Sequence, residues 1–206
     1  MSKTVRKREH LDLGRAQLLD AAEEVFGRRG YHDATLKEVA ELAEFSVGSV
    51  YSFFENKDDL FHHVFVRRGE SFIQGLALIA VPEDPALERL RDLVGFVVGF
   101  FREHPHFGRL YLRTSSVGSP LPGTAVDDGF HDGLERATRL QARVFADGQR
   151  EGVVRGGDPE VLARILSGVV LAYLALDPAV VGDGTAIGEP LPLAELQRIT
   201  EEMFHA

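Results

Sequence analysis

The chain has 206 residues, 44% of them hydrophobic and 27% charged, with a net charge of −9 and no cysteine. This balance is ordinary for a soluble globular protein of one large or two small domains, and it excludes a disulfide framework or a thiolate metal site. No apolar run approaches the about 20 residues of a membrane span, and the charged start MSKTVRKREH has no apolar core behind it, so a secretory signal is not expected and a cytoplasmic location is.

The charge is unevenly spread. Residues 1–70 hold 11 Lys+Arg against 13 Asp+Glu, and residues 71–206 hold 12 against 19, so the acidity is concentrated in the second part. All four lysines (Lys3, Lys7, Lys37 and Lys57) lie in the first 57 residues, and Arg6, Arg8 and Arg15 join the first two near the N-terminus. Residues 1–11 are expected to form a mobile basic arm. Such an arm can hold an anionic polymer by local charge although the whole protein is acidic, or it can be an ordinary solvated tail.

Beyond residue 11 the chain reads as helix after helix. Leu18, Ala22, Val25 and Phe26 recur at spacings of four and three, and the stripe ends in Arg28, Arg29 and a C-capping Gly30. In TLKEVAELA, Thr35 is a natural N-cap and Glu38 completes a capping box. Ser46 opens a short helix that contains the poor helix formers Gly48 and Ser49. Asn56 or its predecessor caps the next helix, over residues 57–80. VPEDP marks a boundary, and an amphipathic helix follows over 86–103, with Gly95 and Gly99 leaving room for a neighbour or a bound molecule. Pro105 breaks the chain and a helix restarts. SSVGSPLPG is a loop. Helices are expected over 124–151, 159–176 and 192–205, with the stretch from Asp177 to Pro192 loop-like. No strand alternation or internal repeat appears, so the class is all-α.

Two short helices joined by a tight turn near the N-terminus suit a helix-turn-helix, whose second helix enters the major groove. Small residues at Gly48 and Ser49 let a backbone approach DNA closely. Phe54 and Val50 are expected to fix the inner side of that helix in a small core with Val25, Phe26, Val39 and Phe45. Tyr51 can present its hydroxyl to a phosphate, and Lys57 at a helix N-terminus is placed for another.

The segment from Leu18 to Leu60 resembles the DNA-binding domain of the tetracycline-repressor (TetR) family. The resemblance rests on Phe26, Gly30-Tyr31, Thr35, the run Ser46-x-Gly48-x-x-Tyr51, and Phe54-x-x-Lys57. It implies a three-helix DNA-binding domain over residues 12–56, a linking helix over 57–80, and a helical ligand-binding and dimerisation domain over 81–206. It further implies phosphate contacts from Thr35, Tyr51 and Lys57, and base-edge contacts from or near Ser46, Val47 and Ser49; Lys37 and Gly48 belong to the same candidate set. Where the family's turn commonly reads Ala-Gly-Val, this chain has Ala43-Glu44-Phe45. The turn is expected to persist, with Glu44 exposed and strained.

The same resemblance implies a homodimer joined through residues 124–151 and 159–176, and an effector pocket among the central helices. Phe96, Phe100, Phe107, Tyr111, Phe130 and Tyr173 are candidates for its lining. Arg109 and Arg113 are candidates to receive an anionic group. The implied function is a ligand-responsive regulator released from a palindromic operator by a lipophilic or aromatic small molecule, an acyl thioester among the options. Activators share the motif. No cofactor and no metal are expected, since His104 and His106 lack carboxylate or thiol company. Two other readings stay open: a helical interaction module that no longer binds DNA, and an enzyme. Gly-x-Ser-x-Gly, a phosphate-binding Gly-rich loop and His-Glu-x-x-His are all missing. The run Asp127, Asp128, His131, Asp132 is a solvated acidic helix start before it is a metal site.

Overall fold

The computed structural model describes residues 3–81, 83–115, 127–182 and 192–206, with the side chains at 3, 4, 7, 115 and 127–131 left outside the description. The described residues form ten helices: α1 (Lys3–Asp33), α2 (Leu36–Leu42), α3 (Val47–Phe53), α4 (Lys57–Ile79), α5 (Ala86–Glu103), α6 (Pro105–Ser115), α7 (Asp127–Glu151), α8 (Pro159–Leu174), α9 (Pro178–Val181) and α10 (Leu193–Phe204). Among them the only β pairing is an isolated bridge between Val154 and His205. None of these helices is long and apolar enough to cross a membrane.

The caps explain where the chain starts and stops its helices. Thr35 Oγ1 accepts from the Glu38 N–H at 3.2 Å, while the Glu38 carboxylate accepts from the Thr35 N–H at 3.0 Å, a complete capping box. Those hydrogen bonds with Thr35 are also what hold the Glu38 carboxyl below its ordinary value. Asn56 Oδ1 caps α4 by accepting from the Asp59 N–H at 2.9 Å. Gly30 has φ 78° and bends the chain where a C-cap was expected.

Helix α1 begins at Lys3, so residues 3–11 are helical. One expectation is corrected. The segment after Asp177 is not loop throughout: α9 forms because Asp177 caps it, accepting from the Ala179 N–H at 3.0 Å, and Val180 is fully buried. Asp177 is itself held by Arg102, whose Nε donates to it at 2.7 Å and whose Nη2 donates to the Tyr173 hydroxyl at 2.8 Å.

Helices α1–α3 form a head that α1 and α4 tie to the remaining helices. Helix α1 lies so close to α6 that a Cβ at Gly27 would stand 2.5 Å from the backbone oxygen of His106. Helix α4 meets α5 in the same way, with a Cβ at Gly75 only 2.2 Å from the Phe96 ring. An aromatic path crosses the junction. Phe26 on α1 meets Phe61 on α4 at 5.1 Å, Phe61 meets Phe65 at 5.0 Å, and Phe65 meets Phe107 on α6 at 5.4 Å.

Beside this path lies a charge cluster. Glu23, 5% exposed, accepts from Arg67 at 3.1 Å and from Arg68 at 2.6 Å, and Asp20 pairs with Arg67 at 2.9 Å. Arg68 Nη1 lies 3.4 Å from His104 Nε2. Burial, and then the Arg68 cation, hold the His104 imidazole below its ordinary value; burial and then Arg109 do the same to His106.

Gly27→Ala forces α1 away from a backbone atom, which no rotamer change relieves. It is expected to destabilise the fold by about 1–3 kcal/mol, read as a lower urea midpoint. Both histidines are harder to protonate in the fold than in the unfolded chain, so the unfolded state binds more protons as pH falls. Stability is therefore expected to drop as pH passes below about 6.5, and the double change His104→Gln, His106→Gln is expected to flatten that part of the profile.

Candidate nucleic-acid interface and ligand cavity

Helix α3 is short and weak by propensity, and its position depends on what lies behind it. Val50 and Phe54 are buried, and Phe53 and Phe45 are half-buried against one another, with ring centroids 6.4 Å apart. They pack at Gly14 of α1, where a Cβ would stand 3.3 Å from the Phe53 ring and 3.4 Å from that of Phe45. Arg15 secures the other end. It lies 4.8 Å over the Phe54 ring and Nη1 donates to the Phe53 carbonyl at 3.4 Å, close to the negative end of α3. Arg15, counted with the N-terminal cations, is thus bound to the head's own framework.

The turn from α2 to α3 persists with glutamate where glycine is common. Phe45 N–H donates to the Ala40 carbonyl at 2.8 Å and Glu44 N–H to the Glu41 carbonyl at 3.2 Å, the paired bonds of a Schellman motif. Glu44 is exposed and adopts φ 59°, the left-handed position the motif requires. Ser46 then caps α3, its Oγ accepting from the Ser49 N–H at 3.0 Å.

The outward face of α3 is open. Val47 is 38% and Tyr51 57% exposed, and Ser46, Gly48 and Ser52 are exposed too. Ser49 is half-buried, its Oγ 2.8 Å from that of Ser46, and Ser52 Oγ donates to the Ser49 carbonyl at 2.6 Å. Thr35 and Lys37 are exposed on α2, Lys37 with Glu41 3.7 Å away. Lys57 is half-buried and already engaged. Its Nζ donates to the His32 carbonyl at 3.1 Å and lies 4.6 Å over the Tyr31 ring, while the Tyr31 hydroxyl bonds Asp58. Burial lowers its ammonium from the ordinary value, with Asp33 and Glu38 acting against it.

A cavity of about 430 Å³ lies among α4, α5, α6, α7 and α8. Phe65, Phe72 and Ile73 of α4, Val97 and Phe101 of α5, Leu134 and Ala137 of α7, and Leu166 and Leu174 of α8 make its walls apolar. Of the aromatic candidates, Phe107 and Tyr111 line it. Phe96, Phe100 and Tyr173 do not: Phe96 covers Gly75, Phe100 stacks edge-on against His104 at 4.8 Å, and Tyr173 bonds Arg102. Phe130 lies outside the described side chains. Arg109 and Arg113 point away from the cavity. Arg109 donates to the Val180 carbonyl at 2.8 Å, and Arg113 approaches Gly30 of α1. Burial, followed by repulsion from Arg113 and Arg28, lowers the Arg109 guanidinium from its ordinary value. Gly95 faces Gln197 of α10, and neither Gly95 nor Gly99 borders the cavity.

The sequence reading missed the α4 wall, although its signal was present. Phe65, Gly69, Phe72 and Ile73 recur at helical spacing beside the Leu60–Phe61–Val64 stripe, so α4 carries two apolar faces. Gln141, a polar residue of α7, also borders the cavity. No group of His, Asp and Glu fit to hold a metal occurs among the described residues.

An exposed short helix seated by a tight turn on two supporting helices is a helix-turn-helix, here joined to a helical domain with an apolar cavity. Residues 18–64 match the sequence model of the bacterial regulatory proteins of the tetR family. The chain is 24% identical over 159 residues to the HTH-type transcriptional regulator YhgD of Bacillus subtilis, covering 76% of this chain and 80% of that one. It is 29% identical over 153 residues to the transcriptional repressor NicS of Pseudomonas putida, covering 74% and 65%. The regulator FadR of Bacillus subtilis, solved with stearoyl-CoA, shares the fold at a TM-score of 0.72 and 18% identity, covering 91% of this chain and 96% of that one. Residues 18–64 are thus similar to the DNA-binding segment of the tetR family, and the relatives that the longer matches reach are transcription regulators.

Glycine adopts the left-handed backbone of residue 44 without steric cost, whereas a Cβ there costs about 1–2 kcal/mol. Part of that gain is lost to the freer unfolded chain. Glu44→Gly is therefore expected to raise stability by about 0.5–1 kcal/mol, read as a higher urea midpoint with an unchanged slope.

Proposed function

We propose that the protein is a dimeric, cytoplasmic repressor that binds a palindromic DNA operator and is released from it by a lipophilic effector held in the cavity. The observation that carries this reading is the placement of α4. Its N-terminus follows α3 directly, and its body forms one wall of the cavity.

Ser46, Val47, Gly48 and Ser49 would meet base edges, where the absence of bulk lets the start of α3 enter the major groove. Thr35, Lys37, Tyr51 and Lys57 would hold phosphates on either side. Lys57 donates one N–H to His32 and keeps the others for the backbone of the operator.

Two copies would pair through α7 and α8. Val161, Ile165, Gly168 and Ala172 lie exposed at spacings of four, three and four on α8, an apolar face turned from its own core. Pairing of two such helices across a two-fold axis makes a four-helix interface. The two heads then present their recognition helices to half-sites one DNA turn apart.

The effector must favour one spacing of the heads, or it shifts nothing. A molecule filling the cavity presses on Phe65 and Phe107, which continue through Phe61 to Phe26 of the head. The apolar walls suit an aliphatic chain, and the fold-relative FadR was solved with an acyl thioester bound. An acyl compound is therefore the effector class that we favour.

Selection from a random double-stranded DNA pool at physiological salt tests the reading. An enriched palindrome with half-sites about one turn apart is the expected result, and no shared sequence from any ligand state would sink it. On that operator, Tyr51→Phe should weaken binding about 10- to 150-fold by loss of one hydrogen bond to a charged acceptor. Lys57→Gln should reduce the salt slope of the dimer by about two, one for each copy.

A further inference from the structure

We infer that the cavity takes an aliphatic chain bearing one neutral carbonyl, and that the side-chain amide of Gln141 receives that carbonyl. The inference deepens the reading of the cavity as the effector site and rests on it.

Gln141 lines the cavity from α7 and is only 6% exposed. Its neighbours along the helix, Ala137 and Val144, are apolar. Its Oε1 accepts from Ser167 Oγ of α8 at 3.1 Å. Among the described residues nothing accepts from its Nε2, so two N–H donors are left to whatever enters. With the serine hydroxyl donating to Oε1, both N–H groups of Nε2 remain for an entering acceptor. An amide donor that faces apolar walls with no protein acceptor gains a partner when a carbonyl enters. Ser167 acts as the positioning residue, since its hydroxyl fixes the amide.

The acceptor is neutral because the described lining holds no permanent counter-charge; His62 and Tyr111 are its titratable side chains. No Lys, Arg, Asp or Glu stands among the described lining residues, and Arg109 and Arg113 are turned to α9 and α1. An unpaired carboxylate in such walls costs several kcal/mol, whereas a ketone, ester, amide or thioester carbonyl does not carry that charge. Size narrows the class further. A cavity of about 430 Å³ has room for at least ~14 non-hydrogen atoms at roughly 30 Å³ each, enough for a chain of about a dozen carbons.

The test uses the full chain and pyrene, a hydrocarbon dye with no polar atom, displaced by 2-tridecanone, dodecanoate or tridecane. In the unaltered protein the ketone should displace the dye at about 10-fold lower concentration than either of the others. Gln141→Leu, close in volume, should keep its affinity for pyrene and bring the ketone to within about two-fold of the alkane. Ser167→Ala should weaken the ketone alone, by a few-fold, and gives a second readout if the first variant folds poorly. Tighter binding of dodecanoate, or a ketone preference that survives both changes, would overturn the role of Gln141 while leaving the cavity an effector site. If pyrene and all three ligands fail to bind, the effector-site reading falls and the inference falls with it.

Discussion

The near-contact of α1 with α6 at Gly27 governs how the rest of the molecule is arranged. Hydrogen replaces a side chain there, and the backbone of α1 comes within reach of the backbone at His106. That closeness brings the Glu23 carboxylate into the junction, where removal from water must be offset by Arg67 and Arg68 of α4. It also lets Phe26 reach Phe61 and so joins the head to the cavity wall by packed rings. Backbone contact and a paired buried charge leave few alternative dispositions, and a junction of this kind moves between discrete arrangements rather than bending smoothly.

Helix α4 works on two sides for the same reason. Leu60, Phe61 and Val64 face the head's core, and Phe65, Phe72 and Ile73 border the cavity. A helix that is apolar on two faces cannot move relative to one neighbour without disturbing the other. Helix α3 inherits its orientation from this element through the short capped turn at Phe54–Asn56. Its own sequence needs no great helical propensity, because Gly14, Arg15 and the buried Val50 and Phe54 hold it from behind. The outward surface is thereby free to carry small residues suited to close approach rather than to helix stability.

Local signals made much of this legible in the sequence. Thr35 with Glu38, Ser46, Asn56 and Gly30 each act within three or four residues of themselves, and each does in the structure what its chemistry requires. Even the departure at Glu44 was readable, because a Schellman motif imposes a left-handed residue whatever its side chain. The cavity was read poorly for the opposite reason. Phe96, Phe100 and Tyr173 are aromatic and apolar-faced like Phe107, yet which face of α5 or α8 meets a void depends on helices distant in the chain. The brief α9 was missed on related grounds. It exists because Arg102, 75 residues away, holds the Asp177 cap.

Sequence by itself determined the helical class, the caps of α2, α3 and α4, the turn and the outward face of α3, since caps, periodicity and turn geometry are properties of neighbours along the chain. Only the tertiary structure decided that Arg15 and Lys57 are bound to the head's own frame, that Arg109 and Arg113 turn from the cavity, and that Gln141 stands in its wall with donors to spare. Those outcomes depend on which helices approach one another and how closely. Side chains remote in sequence set that distance, and no local pattern records it.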